Sequence, residues 1–130
     1  MKRVTGIGGV FFKAKDPVAL RDWYRQHLGI NVEEWGGTAF PWAGPDNPNG
    51  TGTTVWSVFE EASTYFAPSG APFMINYRVE DLHSVLAALR AEGCAVDDKV
   101  DESEFGKFGW VMDPDGNKIE LWEPPTKFPG

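Results

Sequence analysis

Residues 4–14 are mostly apolar residues and glycine, with polar side chains only at Thr5 and Lys13, a pattern that predicts a β-strand. Alternate residues occupy its two faces: Val10, Phe12 and Ala14 on one, and Gly9, Phe11 and Lys13 on the other. Asp16 and Pro17 then supply a helix N-cap and a first-turn proline. Apolar residues recur at helical spacing up to Leu28, and Gly29 is a natural helix end. The chain therefore opens with a strand followed by a helix.

Short strand-like segments follow this helix, near residues 31–35, 38–42 and 53–59. The segment 43–52 between the last two is rich in Gly, Pro and Asn, a composition typical of a surface loop. The first half thus reads as strand, helix and three further strands.

The pattern restarts at residue 73. Alternating positions place Ile75, Tyr77 and Val79 on one face and Met74, Asn76 and Arg78 on the other. Asp81 is a helix N-cap, and an apolar stripe continues to Gly93. Further strands are predicted near 95–100, 109–112 and 118–123, the last two joined by the turn sequence 113–117.

Equivalent signals recur after 64 or 65 positions, which indicates an internal duplication. Asp16 corresponds to Asp81, Gly29 to Gly93, and residues 52–56 to residues 116–120. We therefore predict an α+β fold made of two tandem βαβββ modules in one domain spanning residues 1–130. Module one covers about 4–60, a connector about 61–72, and module two about 73–124. Helices lie outside, and curved sheets enclose a central cleft.

The residues opposite the helix-facing positions are the candidate cleft residues. They are Gly9, Phe11, Lys13, Trp56, Met74, Asn76, Arg78, Glu120 and Trp122. Trp56 and Trp122 can stack on a flat ligand, and Arg78 suits an anionic group unless it is simply solvated at the end of the sheet. The segment 102–110 can close over the cleft or be an ordinary connection.

Composition excludes several classes of partner. The net charge of −7 and the pI of about 4.7 disfavour nucleic acid and anionic membrane surfaces. No segment has the roughly 18 apolar residues of a membrane span. The single cysteine, Cys94, excludes an intrachain disulfide and suits a reducing compartment. A cytoplasmic protein without nucleic-acid or membrane partners is expected.

Three segments carry a resemblance to a known superfamily: VFFKAKDPVALRDWYRQHLGI, FMINYRVEDLHSVLAALRAEG and GWVMDPDGNKIELWEP. Together they resemble the vicinal oxygen chelate superfamily, which includes glyoxalase I, bleomycin-resistance proteins, fosfomycin-modifying enzymes and extradiol dioxygenases. The resemblance implies the paired βαβββ fold, a small-molecule ligand and a homodimer. It also implies a divalent metal held by the first and last strands of each module.

The positions that correspond to those metal ligands are Gly9, Trp56, Met74 and Glu120. Glycine has no side chain, tryptophan has no acceptor, and a thioether is a soft ligand. One carboxylate alone would hold a divalent cation poorly. No cofactor is therefore expected, and a divalent metal is disfavoured.

These considerations leave several functions open. The leading hypothesis is a glyoxalase/bleomycin-resistance-like protein that binds a small, partly aromatic or amphipathic molecule without metal. One alternative is a metal-dependent lyase, isomerase or dioxygenase with non-standard ligands. Another is a cofactor-independent proton-transfer enzyme that uses Glu120 as general base. Glu120 can equally be a structural carboxylate paired with Arg78 or Lys118, and its surroundings distinguish the two roles.

Overall fold

A computed structural model describes residues 3–44 and 50–125 of the chain. Helices α1 and α2 span Pro17–Leu28 and Leu82–Ala91. The eight strands of the described residues are β1 Val4–Ala14, β2 Gly37–Pro41, β3 Thr53–Glu60, β4 Phe73–Val79, β5 Ala95–Val96, β6 Asp101–Ser103, β7 Gly106–Met112 and β8 Lys118–Glu123. The α+β prediction is confirmed.

The strands form one mixed sheet in the order β2-β3-β1-β4-β8-β7-β5, and β6 pairs with β7. Strand β1 runs parallel to β3, and β4 runs parallel to β8. The antiparallel pair β1 and β4 joins the two halves at the centre of the sheet. Because parallel strands need a crossover connection, each helix lies in the connection between the two parallel strands of its half.

The predicted helix ends are present. The Asp16 carboxylate accepts a hydrogen bond from the Ala19 N–H at 3.1 Å, and Asp81 accepts one from the Ser84 N–H at 3.1 Å. These bonds satisfy N–H groups that lack a partner within the helix. Gly29 ends α1 at a φ of +66°, a conformation that favours glycine.

The hydrophobic core of the second half lies between α2 and the sheet. Its buried members are Val79, Leu82, Val85, Leu86, Val111 and Leu121. The first half packs less deeply, since α1 contains no buried residue. Most of the buried helix–sheet contact therefore lies in the second half of the chain.

The prediction of a strand at residues 31–35 is wrong. This segment is irregular, and β2 begins only at Gly37. Gly36 adopts a φ of +100°, and its N–H donates back to the Glu33 carbonyl, so the chain turns here. The predicted strand 95–100 is also shorter, because β5 ends at Val96. Residues 45–49 of the predicted loop 43–52 lie outside the described residues.

Within the described part of the chain, neither helix has the length and apolar character needed to cross a membrane.

Candidate functional site

The sheet face opposite the helices forms a cleft with a cavity of about 400 Å³. Twelve of the described residues line it, and seven of these are aromatic. They are Gly8, Phe11, Trp35, Val55, Ser57, Phe59, Tyr65, Asn76, Phe105, Phe108, Glu120 and Trp122. The cavity is therefore an aromatic chamber with a small number of polar groups, as expected of a small-molecule site.

Glu120 is the buried carboxylate of this chamber, with 2% of its surface exposed. Three neutral groups donate hydrogen bonds to it. Asn76 Nδ2 donates to Oε1 at 2.7 Å, Trp110 Nε1 donates to Oε2 at 2.9 Å, and the Tyr65 hydroxyl donates to Oε2. These bonds hold the carboxylate in one orientation at the cavity wall.

The strand register explains how these groups meet. Glu120 on β8 lies directly beside Asn76 on β4 and Trp110 on β7, so all three side chains point to the same face. Tyr65 comes instead from the connection between β3 and β4. Its ring stacks on Phe59 with centroids 5.7 Å apart.

Burial is the main influence on the Glu120 carboxyl and raises its pKa, while its three hydrogen bonds and the nearby Lys118 act in the opposite direction. Burial and the adjacent Glu120 also raise the pKa of the Tyr65 phenol, which therefore keeps its proton at neutral pH. At neutral pH the Tyr65 phenol is therefore a hydrogen-bond donor, and the Glu120 carboxyl accepts its hydrogen bond.

Of the two roles left open for Glu120, the structure does not show the pairing with Arg78 or Lys118, because among the described residues no cation forms an ion pair with this carboxylate. The Lys118 ammonium donates to the Tyr65 carbonyl oxygen at 2.8 Å. It also lies over the rings of Tyr65 and Trp110, 5.5 and 5.4 Å from their centroids. The Arg78 guanidinium lies between Trp42 and Trp122, 4.9 and 5.3 Å from their rings.

Asn76 is buried, and its Oδ1 atom has no hydrogen-bond donor among the described residues. Gly8 lies against it, in the part of β1 where the register to β4 shifts between Ile7 and Gly9. A Cβ atom on Gly8 would stand 2.3 Å from Asn76 Oδ1 and 2.9 Å from Trp122 Cε3. Only glycine therefore allows β1 to approach the cavity wall this closely.

Two aromatic side chains of the second half form one wall of the cavity. Phe108 and Trp122 stack with centroids 6.1 Å apart and an interplanar angle of 10°. Trp122 Nε1 donates to the Phe105 carbonyl oxygen at 2.8 Å, which ties the β6–β7 turn to the wall. Phe105 and Trp35 are half-exposed and mark the cavity mouth. The segment 102–110 thus contributes to the cleft.

Trp56 is predicted to line the cleft, but in the structure it does not. Its ring packs on the opposite face of the sheet, 5.5 Å from Phe12 and 5.0 Å from Tyr24 of α1. Phe11 pairs with Ser57 just as Asn76 pairs with Glu120, so Ser57 is the structural counterpart of Glu120. An offset of 64 between the halves matches Glu120 with Trp56, one residue before its true counterpart Ser57. An error of one residue in a strand assigns every side chain to the wrong face of the sheet.

The other sequence-predicted residues fall into three groups. Phe11, Asn76, Glu120 and Trp122 line the cavity. Met74 is on the same face but fully buried, packed against Phe11, Phe66 and Trp110. Lys13, whose ammonium lies over the Phe66 ring, Arg78 and Gly9 do not line this cavity. At the first strand Gly8 lines the cavity, while Gly9, which pairs with Asn76, lies against the Phe11 ring.

Sequence reasoning missed Tyr65, the residue that completes the hydrogen bonds of Glu120. The connector that carries Tyr65 has no strand or helix periodicity, so no pattern assigned its side chain to a face. Val55, Ser57 and Phe59 were missed for the same reason that Trp56 was misplaced. The correct register of β3 places all three on the cleft face.

The residues present do not fit a divalent metal. Among residues 3–44 and 50–125, no three His, Cys, Asp or Glu side chains cluster in a way that could hold a metal ion. The polar side chains that line the cavity offer one carboxylate (Glu120), one amide (Asn76), one aliphatic hydroxyl (Ser57) and one phenol (Tyr65). Two N–H groups and one O–H group already donate to that carboxylate.

The sequence matches the glyoxalase-like domain family over residues 9–122. The chain therefore belongs to the glyoxalase-like domain family, within the vicinal oxygen chelate superfamily that its segments resemble. No curated protein matches the sequence.

Solved structures with a similar fold include methylmalonyl-CoA epimerase from Mycobacterium tuberculosis. It is 20% identical with a TM-score of 0.64, over 96% of this chain and 91% of that one. A variant of Streptomyces coelicolor methylmalonyl-CoA epimerase, in complex with 2-nitronate-propionyl-CoA, is 19% identical with a TM-score of 0.68, over 95% and 99%. A glyoxalase/bleomycin resistance protein/dioxygenase superfamily member from Vibrio splendidus 12B01 is 13% identical with a TM-score of 0.56, over 90% and 97%. At these identities the likeness shows the fold.

Proposed function

We propose that this protein binds a small, partly aromatic organic molecule in its cleft and does so without a divalent metal. The observation that carries the proposal is the state of Glu120. Its carboxylate lies at the wall of an aromatic cavity and accepts three hydrogen bonds from neutral groups. A divalent ion needs several oxygen or nitrogen ligands, whereas Glu120 is the one carboxylate among the described residues that line the cavity, and its three donors leave it a single free acceptor position.

The size and the walls of the cavity support a flat ligand. Its volume of about 400 Å³ falls within the range of sites for small molecules. Phe59 and Tyr65 stack at one side, on and beside β3, while Phe108 and Trp122 stack on β7 and β8. Aromatic faces of this kind supply apolar contact area and favour an offset-stacked ring between them.

The proposal is tested with 1-naphthylmethanol, a flat probe that fits the cavity volume. Binding is followed by calorimetry and by the change in tryptophan fluorescence. We expect saturable binding that Phe108→Ala weakens, because the change removes one stacked wall. Phe40→Ala is the matched control, since Phe40 is an exposed phenylalanine of β2 outside the cavity. Equal loss in both variants would contradict a site in the cleft.

A second candidate function is proton transfer with Glu120 as general base. Burial raises the pKa of this carboxyl, which is the usual way to prepare a carboxylate for proton abstraction. Methylmalonyl-CoA in D₂O is a suitable probe, because the structurally similar proteins include methylmalonyl-CoA epimerases. Deuterium exchange at the α-carbon that Glu120→Gln abolishes would establish this function. Exchange at the buffer rate leaves the binding function as proposed.

The homodimer and the cytoplasmic location remain predictions. The homodimer is supported by the family resemblance, and the location by the single cysteine. Sedimentation of the purified protein at micromolar concentration tests the dimer.

A further inference from the structure

We infer that the cleft selects ligands with a positively charged nitrogen, a protonated amine or a quaternary ammonium, held beside Glu120 and among the aromatic rings. This inference rests on the proposed binding function and specifies the chemical class of its ligand.

The charge balance of the cavity favours a cationic ligand. Of the described residues that line it, Glu120 is the one carboxylate, and none is a lysine or arginine. The three donors to Glu120 are neutral, and the nearby Lys118, whose charge acts to lower the pKa of this carboxyl, makes its hydrogen bond to the Tyr65 carbonyl and no ion pair with Glu120. A buried carboxylate without a cationic partner is costly, and hydrogen bonds from neutral groups offset only part of that cost. A cationic ligand would supply the missing charge.

The cavity wall also has hydrogen-bond acceptors that lack a donor. Glu120 Oε2 accepts two hydrogen bonds, whereas Oε1 accepts one, from Asn76. A carboxylate oxygen can accept about two, so Oε1 retains one free position. Asn76 Oδ1 beside it accepts none from the described part of the chain. Two unsatisfied acceptors on neighbouring residues match a ligand that brings N–H donors, since a ligand rich in acceptors would leave both unpaired.

The aromatic walls of the cavity favour a cation as well. The face of an aromatic ring carries negative electrostatic potential and attracts cations within about 6 Å of its centroid. Seven aromatic residues surround the cavity: Phe11, Trp35, Phe59, Tyr65, Phe105, Phe108 and Trp122. Lys118 and Arg78 already lie over the rings of Tyr65 and Trp122, so the other five rings, together with the carboxylate, favour a ligand cation. The net charge of −7 attracts cations to the protein as a whole. An anionic ligand of the same shape would meet repulsion from Glu120.

The test compares three probes that share one ring and differ in one group: 1-naphthylmethylamine, 1-naphthylmethanol and 1-naphthoate. At pH 7 the first is cationic, the second neutral and the third anionic. We expect the amine to bind roughly ten-fold or more tightly than the alcohol, the size of a charge-assisted hydrogen bond. The carboxylate is expected to bind most weakly. Calorimetry at two salt concentrations gives the three dissociation constants.

A pair of charge-neutralising variants then assigns the preference to its residue. Glu120→Gln should bring the amine-to-alcohol affinity ratio close to one while the alcohol still binds. Glu80→Gln makes the same change in net charge at an exposed position outside the cavity, and should keep the wild-type ratio. Circular dichroism checks that both variants are folded, and if Glu120→Gln does not fold, the wild-type series with three probes decides.

Each remaining outcome counts against a specific statement. Equal binding of amine and alcohol overturns the cation preference but leaves the proposed function intact. A ratio that falls equally in both variants overturns the role of Glu120 and assigns the effect to overall charge. Failure of all three probes to bind overturns the proposed binding function itself.

Discussion

Trp110 and Glu120 are direct partners across the β7–β8 ladder, and the indole Nε1 of the first donates to Oε2 of the second at 2.9 Å. Both residues are almost completely buried, with 3% and 2% of their surfaces exposed. A hydrogen bond to a carboxylate in such surroundings is stronger than one in water. This pair therefore contributes both to the stability of the sheet and to the orientation of the cavity carboxylate.

The losses of two different hydrogen-bond donors to Glu120 should lower the free energy of unfolding by different amounts. Trp110→Phe keeps an aromatic ring but removes a fully buried N–H, and we expect it to lower the free energy of unfolding by about 1–3 kcal/mol. Tyr65→Phe should cost less, because Tyr65 as a whole is 40% exposed against 3% for Trp110, so water reaches the vacated position more readily. Urea denaturation of the two variants measures the difference. An equal or larger loss in Tyr65→Phe would contradict this ranking.

The raised pKa of Glu120 predicts a specific pH dependence of stability. Burial holds this pKa above its ordinary value of 4.5, so the folded state binds the proton more tightly than the unfolded state. Stability from this group is complete below the ordinary value and is lost as pH rises through the pKa of the folded state. The free energy of unfolding of wild type minus that of Glu120→Gln should therefore fall as pH rises above 4.5. A difference that rises over this window would show that the three hydrogen bonds outweigh burial.

Gly8→Ala tests the close approach of β1 to the cavity wall. The added methyl group would displace the Asn76 amide, and we expect a loss of roughly 1–3 kcal/mol together with weaker probe binding. Gly70→Ala is the matched control, because a Cβ atom there meets nothing within 4 Å. That variant should stay within about 0.5 kcal/mol of wild type. Thermal unfolding and calorimetry provide the two readouts.

The cavity mouth is tested with two half-exposed tryptophans. Trp35→Ala removes a ring that lines the cavity and should weaken naphthyl probe binding by roughly two- to ten-fold. Trp23→Ala removes a similarly exposed ring from α1, on the other side of the sheet, and should leave the dissociation constant unchanged. Similar losses in both variants would place the probe outside the cleft.

The metal content of the purified protein tests whether its side chains hold a divalent metal ion. Protein purified without chelator should carry far less than one equivalent of Zn, Ni, Mn or Fe by elemental analysis. Chelator treatment should leave the melting temperature unchanged, since no bound ion would be removed. A stoichiometric metal that chelation removes, with a lower melting temperature, would favour the metal-dependent alternative.

Local sequence patterns were sufficient to predict the helix ends and the faces of two strands. Asp16 and Asp81 cap the helices, Gly29 ends α1, and the alternation along β4 and β8 placed Asn76, Glu120 and Trp122 on the cleft face. These features depend on neighbouring residues in the chain, so short-range patterns report them reliably.

The register of β3 and the surroundings of Glu120 depend on contacts between distant parts of the chain, which local patterns do not report. Trp56 and Ser57 exchange faces with a shift of one residue, and the pairing of Ser57 with Phe11 is a contact between distant parts of the chain. Tyr65 reaches Glu120 from an irregular connector that no periodicity describes. The packing of distant side chains determines whether this carboxylate contacts a cation or neutral hydrogen-bond donors. That long-range arrangement, rather than any local pattern, makes Glu120 the polar centre of an aromatic cavity.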